Sequence, residues 1–147
     1  MTSKLVKVDR VRSKEEALAV EGLGAGLVGV ELSPDPRYDD DRVLTVEQAA
    51  LVGKALRRAR LVAAMHLTGE PAEIVGVVAA TGAAMVQTIH PTVPPPEVRA
   101  ALREAGIGIV YSGVDITHDE DPAWVFSGLT DTPDLGAELF QADVLSE

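Results

Sequence analysis

A chain of 147 residues, 46% hydrophobic and 24% charged, has the composition of a globular domain with a substantial core, not of a disordered segment. A formal net charge of −10 repels phosphate backbones, and an aromatic content of 3% offers few rings for bases to stack on, so nucleic acid is excluded as a partner. The absence of cysteine removes disulfides, thiolate metal sites and a cysteine nucleophile.

The first residues carry charges and no long apolar run, and no stretch approaches the roughly 20 apolar residues of a membrane span. The expectation is a cytoplasmic protein with no membrane partner. Because the surface is acidic, any anionic substrate would need local basic compensation.

Short β-branched runs alternate with longer Ala-rich ones. Residues 5–9 read as a first strand. Ser13 caps a helix over 14–22, with Glu16 at the capping-box position, and Gly24 stops it. A second strand covers 26–32, and 33–41 is a loop rich in Pro and Asp. Thr45 caps a helix over 46–59, with Gln48 three residues on. A third strand covers 61–67. A helix starts at Thr68 or Gly69, carries Pro71 in its first turn and ends near Gly82. Residues 83–89 form a fourth strand, 91–96 a proline-stiffened loop, and 97–105 a helix stopped by Gly106. The fifth strand covers 107–114. A short helix follows over 119–127, with Pro122 in its first turn, and 139–144 read as a sixth strand.

Regular βα alternation, with strands apolar enough to be buried on both faces, implies one domain over 1–147 built on a parallel sheet with right-handed crossovers. Two architectures satisfy this pattern. One is an incomplete TIM-barrel-like (βα)n unit of about six strands; the other is an open doubly wound, flavodoxin-like sheet. In both, ligands bind at the carboxyl ends of the strands. Those ends carry Asp9, Glu31, His66, His90, Asp115 and Asp143. Loops begin there and loops are polar, so no single one of these residues decides a site. Lys7 and Asp9 alternate to the same face of strand one. They form either a structural ion pair or part of a site.

The stretch Lys7-Val8-Asp9-Arg10-Val11, the helix start Glu15-Glu16-Ala17, and then Gly24-Ala25 and Val28-Gly29 resemble the opening of phosphoribosylanthranilate isomerase. That family begins with a Lys-Ile-Cys-Gly-Ile-Thr strand and loop, an acidic-Ala helix, and a Gly-Ala-Asp…Gly-Phe second strand. The segment Ser33-Pro34-Asp35-Pro36-Arg37-Tyr38 is similar to its Ser-Pro-Arg-Tyr loop. Glu47-Gln48-Ala49 fits its Pro-Glu-Gln-Ala helix start. Residues 61–65, then Glu70-Pro71 and Ile74, resemble its third strand and the helix after it. Ala84-Met85-Val86-Gln87 resembles its Val-Gln-Leu-His strand. The order and spacing hold over about the first hundred residues and thin out beyond.

The resemblance implies a TIM barrel and an Amadori rearrangement in tryptophan biosynthesis. An aminoaldose ring opens, and proton transfers convert it to an aminoketose. It implies a general base at the end of strand one, which is Asp9 here in place of the family's Cys. It implies a general acid at the end of strand six, which is Asp143. Arg37 matches the arginine that contacts the anthranilate carboxylate, and Lys7 matches the family's lysine. Glu31, Gln87, His90 and Asp115 complete the expected substrate-binding set, with His90 one residue beyond the family's histidine. A carboxylate can replace the thiol as base. Arg10 stands where the family has glycine, which predicts a different loop.

The family holds the substrate phosphate after strands seven and eight, for which this sequence has no counterpart. A full barrel takes about 250 residues, and about 200 at the least. Two chains pairing, a sheet that flattens, or a separate partner would each cover the open edges. A homodimer is the expectation.

Other features have plainer readings. Arg37 sits among Asp35, Asp39, Asp40 and Asp41. That placement suits either a surface salt bridge or a fork for a carboxylate. His66, His90 and His118 match no ligand spacing, so no metal is expected, and metal-assisted chemistry at His66, His90 and the acids is the weaker alternative. No cofactor is expected. Trp124 reads as a core or interface anchor. Gly22, Gly24 and Gly26 precede a strand, whereas a phosphate loop follows one. The expected function is an isomerase or cyclase of small-molecule biosynthesis working by acid–base proton transfer. The alternative is a non-catalytic binding or assembly subunit of the same descent.

Overall fold

The computed structural model describes residues 5–34, 42–89, 93–116 and 135–144, with the backbone alone described for 112–116 and 142–144. The elements run β1 (Lys7–Val8), α1 (Lys14–Gly22), β2 (Leu27–Glu31), α2 (Val46–Ala55), β3 (Arg60–Ala64), α3 (Pro71–Thr81), β4 (Met85–Gln87), α4 (Pro96–Glu104), β5 (Gly108–Ile116) and β6 (Ala137–Val144). The helix expected over 119–127 lies outside the described residues.

Six parallel strands pair in the order β1-β2-β3-β4-β5-β6. This order decides between the two architectures. A doubly wound sheet reverses its strand order at a switch point and puts helices on both faces. Here the order never reverses, and α1 packs on α2, α2 on α3, and α3 on α4. The helices form one outer layer around a curled sheet, which is an incomplete (βα)n barrel.

The apolar residues sort into three clusters accordingly. Val11, Ala17, Val28, Val30, Ala49, Val52 and Leu61 fill the space beneath α1 and α2. Ile74, Val78, Val86, Val98, Leu102, Ile109 and Tyr111 do the same beneath α3 and α4. Leu27, Val62, Met85 and Val110, with Leu139 against them, form the third cluster. They come from the other face of five successive strands and line the inside of the curl. On α4, Val98 and Leu102 lie one turn apart and both are buried, each contributing about 1.5–3 kcal/mol.

Local chemistry sets the helix ends. The Glu16 N–H donates to Ser13 Oγ at 3.1 Å. The Glu16 carboxylate does not close the box; it accepts instead from the Arg12 N–H at 2.9 Å and from the Arg12 guanidinium at 3.3 Å. Thr45 and Gln48 do form a reciprocal capping box, at 3.1 and 2.9 Å. Prolines open α3 and α4, where a missing N–H costs nothing.

Helix α2 ends at Ala55, four residues short of the expected 59. The reason is Glu21 on α1, a buried carboxylate. It accepts the backbone N–H groups of Arg57, Arg58 and Ala59 at 3.0, 2.8 and 2.7 Å. These donors serve the carboxylate and not another helical turn.

The strands β1, β2, β3 and β4 are shorter than expected, and β6 begins two residues earlier, at Ala137. The register between β5 and β6 shifts twice, between Ile109 and Val110 and between Tyr111 and Val114, as β-bulges do. The Tyr111 and Phe140 rings stack at 5.9 Å, and the Tyr111 hydroxyl donates to the Leu135 carbonyl at 2.6 Å. Among the described residues no helix is long and apolar enough to cross a membrane.

Candidate active site at the carboxyl rim of the barrel

Lys7 and Asp9 do turn to the same side of the first strand. Lys7 Nζ donates to Asp9 Oδ1. It also donates to Gln141 Oε1 on β6 at 2.8 Å. Gln141 Nε2 in turn donates to Asp9 Oδ2 at 3.0 Å. The three side chains close a triangle between the two edge strands of the sheet. The Lys7 side chain is 13% exposed and that of Asp9 37%, so the ammonium is largely enclosed while the carboxylate stays open to solvent.

Gly29 makes room for the carboxylate. A Cβ at that position would lie 2.7 Å from Asp9 Oδ1, so only glycine leaves Asp9 where it is. Beneath the triangle a cavity of about 370 Å³ is lined by Lys7 and Gln141 at its polar end and by Leu27, Val110 and Leu139 within. The polar groups therefore sit over the apolar lumen.

The next residue, Arg10, holds φ 60°, the left-handed region that glycine occupies without strain. The arginine in the glycine slot thus accepts the conformation that glycine takes freely. Its surroundings hold it there. Arg10 Nε lies 3.0 Å from Glu31 Oε1, with both side chains largely buried. The Arg10 carbonyl accepts from Arg42 Nη1 at 3.4 Å, and the Val11 N–H donates to the Gly29 carbonyl at 2.9 Å.

Glu31 closes β2 and Gln87 closes β4. Their register partners meet at Ala64 of β3, so the two lie in one row across the sheet, and both are buried. Asp115 and Asp143 are register partners near the ends of β5 and β6, but their side chains lie outside the described ones. Arg37, His90, His118 and Trp124 lie outside the described residues altogether. The His66 N–H donates to Ser33 Oγ at 3.2 Å. Among the described residues no three His, Asp or Glu side chains gather as a metal site would require.

Asp9 and Glu31 stand at the carboxyl ends of β1 and β2, and the Lys7 ammonium reaches Asp9 there. Gln141 does so without having been singled out. Its available signal is an amide that interrupts the apolar run of β6, two residues before Asp143.

No family model matches the chain, and no curated protein matches it. Solved structures do. A phosphoribosylanthranilate isomerase from Thermus thermophilus has a TM-score of 0.70 at 23% identity, over 96% of this chain and 62% of that one. The chain has the fold of phosphoribosylanthranilate isomerase. The Thermotoga maritima isomerase matches 99% of this chain and 63% of its own, with 20% identity and a TM-score of 0.70. An isomerase in complex with reduced 1-(o-carboxyphenylamino)-1-deoxyribulose 5-phosphate reaches 0.71 at 20% identity, over 98% of this chain and 66% of that one. The chain therefore spans less than two thirds of the length of these isomerases.

On this fold the rim of the strands carries a carboxylate held by an ammonium and an amide, with one side open to solvent. Such a group can accept a proton from a bound molecule and return it.

Proposed function

We propose that the protein is an isomerase- or cyclase-like enzyme of small-molecule biosynthesis, with Asp9 as general base at the mouth of the barrel. The observation that carries this reading is the Asp9 carboxylate, placed over the lumen of an isomerase fold by Lys7, Gln141 and Gly29. In an Amadori rearrangement the ring oxygen takes a proton as its bond to the anomeric carbon breaks. The nitrogen on that carbon forms a double bond to it. The neighbouring carbon then gives up its proton to the base as electrons return to the nitrogen, and the enol formed relaxes to the ketone as the former anomeric carbon takes up a proton. Asp9 takes the carbon-bound proton. Asp143, or Asp115 beside it in register, supplies the ring-opening proton.

Arg37 binds a substrate carboxylate through its planar fork. Lys7, Glu31, Gln87 and His90 complete the binding set. No bound cofactor enters this scheme.

The protein works in the cytoplasm as a homodimer. Strands β1 and β6 are the edges of the sheet, and the exposed apolar side chains Leu5, Val6 and Phe140 lie on or beside them. A second copy covers such edges. Sedimentation of the purified chain reports a dimer if this holds and a monomer if it does not.

The activity test is turnover of phosphoribosylanthranilate, followed by loss of substrate fluorescence. Turnover by the wild type that is abolished in Asp9→Asn supports the assignment. Absence of turnover in well-folded wild type excludes this substrate and the ancestral reaction with it. A second reading, a binding or assembly subunit of the same fold, is favoured by the Lys7–Asp9 ion pair itself, since such a pair can fill a barrel interior for structural reasons alone. Full turnover in Asp9→Asn would select a different base and remove Asp9 from the chemistry.

A further inference from the structure

We infer that Gln141 is the positioning residue for Asp9: its side-chain amide fixes the carboxylate so that Oδ2 is the oxygen presented for proton transfer. This rests on the assignment of Asp9 as base and adds to it a residue on the opposite edge of the sheet.

The two carboxylate oxygens are not equivalent. Oδ1 accepts from Lys7 Nζ and lies over Gly29, where even a Cβ would crowd it at 2.7 Å. Oδ2 accepts from Gln141 Nε2 at 3.0 Å and keeps lone-pair capacity for a substrate proton.

The amide can serve in only one sense. Its oxygen accepts from the Lys7 ammonium at 2.8 Å while its nitrogen donates to Asp9. Reversed, it would set donor against ammonium and acceptor against carboxylate. A glutamate of the same length could still take the Lys7 donor, but it would bring an acceptor and a second negative charge against Asp9. Leucine would fill the space and offer neither bond.

The backbone does little to place Asp9 without this contact. Strand β1 is two residues long and pairs on one side with β2, and the chain leaves it through a left-handed residue at Arg10. Strand β6 is eight residues long and is fixed to β5 by its ladder and by the Tyr111–Phe140 stack. Gln141 carries the position of the well-held strand across the lumen to the poorly held one.

The test compares wild type with Gln141→Leu and Gln141→Glu, after melting curves confirm that each variant folds. Turnover of phosphoribosylanthranilate is the first readout. The expected result in both variants is a kcat lower by roughly tenfold to hundredfold, with KM changed by less than about threefold, as for a displaced base and not a lost binding contact. A structural role alone would lower the melting temperature and leave kcat in place. A kcat in Gln141→Leu within about twofold of wild type overturns the inference.

The second readout needs no substrate. In the side-chain amide NMR spectrum, the Gln141 proton aimed at Oδ2 should lie downfield and exchange slowly, and it should return to an ordinary position in Asp9→Ala. If wild type shows no turnover, the functional reading fails on this substrate. The amide signal then decides the inference by itself: a shifted proton that depends on Asp9 supports Gln141 as the holder of the carboxylate, and an ordinary one overturns it.

Discussion

The Glu21 carboxylate on α1 accepts the Ala59 N–H at 2.7 Å, and the same group takes the N–H donors of Arg57 and Arg58. These backbone bonds, those of Arg58 and Ala59 foremost, hold the Glu21 carboxyl below its ordinary value of 4.5. A carboxyl depressed in the folded state stabilises the fold fully above the unfolded value, and that contribution is lost as pH falls through the folded one. Glu21→Gln should therefore lower the melting temperature most at pH above 4.5. The gap between variant and wild type should narrow steadily as the pH is taken lower. Thermal melts from neutral pH into the acid range check this; a gap independent of pH would remove Glu21 from the acid limb.

Two helical glycines should answer oppositely to alanine. A Cβ at Gly53 on α2 would lie 2.9 Å from the Thr81 carbonyl of α3 and 3.1 Å from Leu61 Cδ2. Backbone cannot give way cheaply, so Gly53→Ala should destabilise by about 1–3 kcal/mol, outweighing the better helix propensity. Gly76 on α3 has nothing within 4 Å of the same position, so Gly76→Ala should stabilise by about 0.4–1 kcal/mol. Urea unfolding of the two variants, side by side, measures both signs.

Strand and helix identity was legible because each buried parallel strand is a short apolar run and each helix opens on Ser13, Thr45, Pro71 or Pro96, all local signals. Strand order was not, because a βα repeat is the same local unit in a barrel and in a doubly wound sheet. What separates them is that Leu27, Val62, Met85 and Val110 meet inside the curl, a contact among four strands. The early end of α2 depends on Glu21, 38 residues from Ala59. The closure at Gln141 spans 132 residues to Asp9. Neither leaves a trace in a sequence window. Asp9 and Glu31 could be singled out because each stands at or just past the carboxyl end of a strand, where parallel folds keep their polar groups, and Lys7 because it shares the face of Asp9 two residues earlier.

Gly29 should separate activity from stability. The group that a Cβ there would meet first is the end of the Asp9 side chain, at 2.7 Å, with the Asp9 Cα at 3.4 Å. The carboxylate can swing aside, so Gly29→Ala should cost only about 1 kcal/mol, the low end of overpacking. The displaced carboxylate should lose its bonds to Lys7 and Gln141, and kcat should fall roughly hundredfold. Paired melting and turnover measurements on Gly29→Ala test this. An unchanged kcat would mean that Asp9 need not stand where the structure has it.

Arg10 combines a strained backbone with a largely buried ion pair, and two substitutions separate the terms. Arg10→Ala removes the contact with Glu31 Oε1 at 3.0 Å and leaves a Cβ at φ 60°. Removing one partner of this largely buried ion pair should cost about 3 kcal/mol, the low end for a buried pair that is broken. Arg10→Gly removes the same contact and relieves the left-handed strain, so it should be more stable than Arg10→Ala by about 1 kcal/mol. Chemical denaturation of both variants at neutral pH gives the difference directly. Equal stability would show that in Arg10→Ala, which keeps a Cβ, the left-handed turn after Asp9 relaxes once the ion pair is gone. In that case the pair with Glu31 holds the loop in shape, and Arg10→Gly should then retain the turn while Arg10→Ala loses it, a distinction that backbone chemical shifts at Val11 resolve.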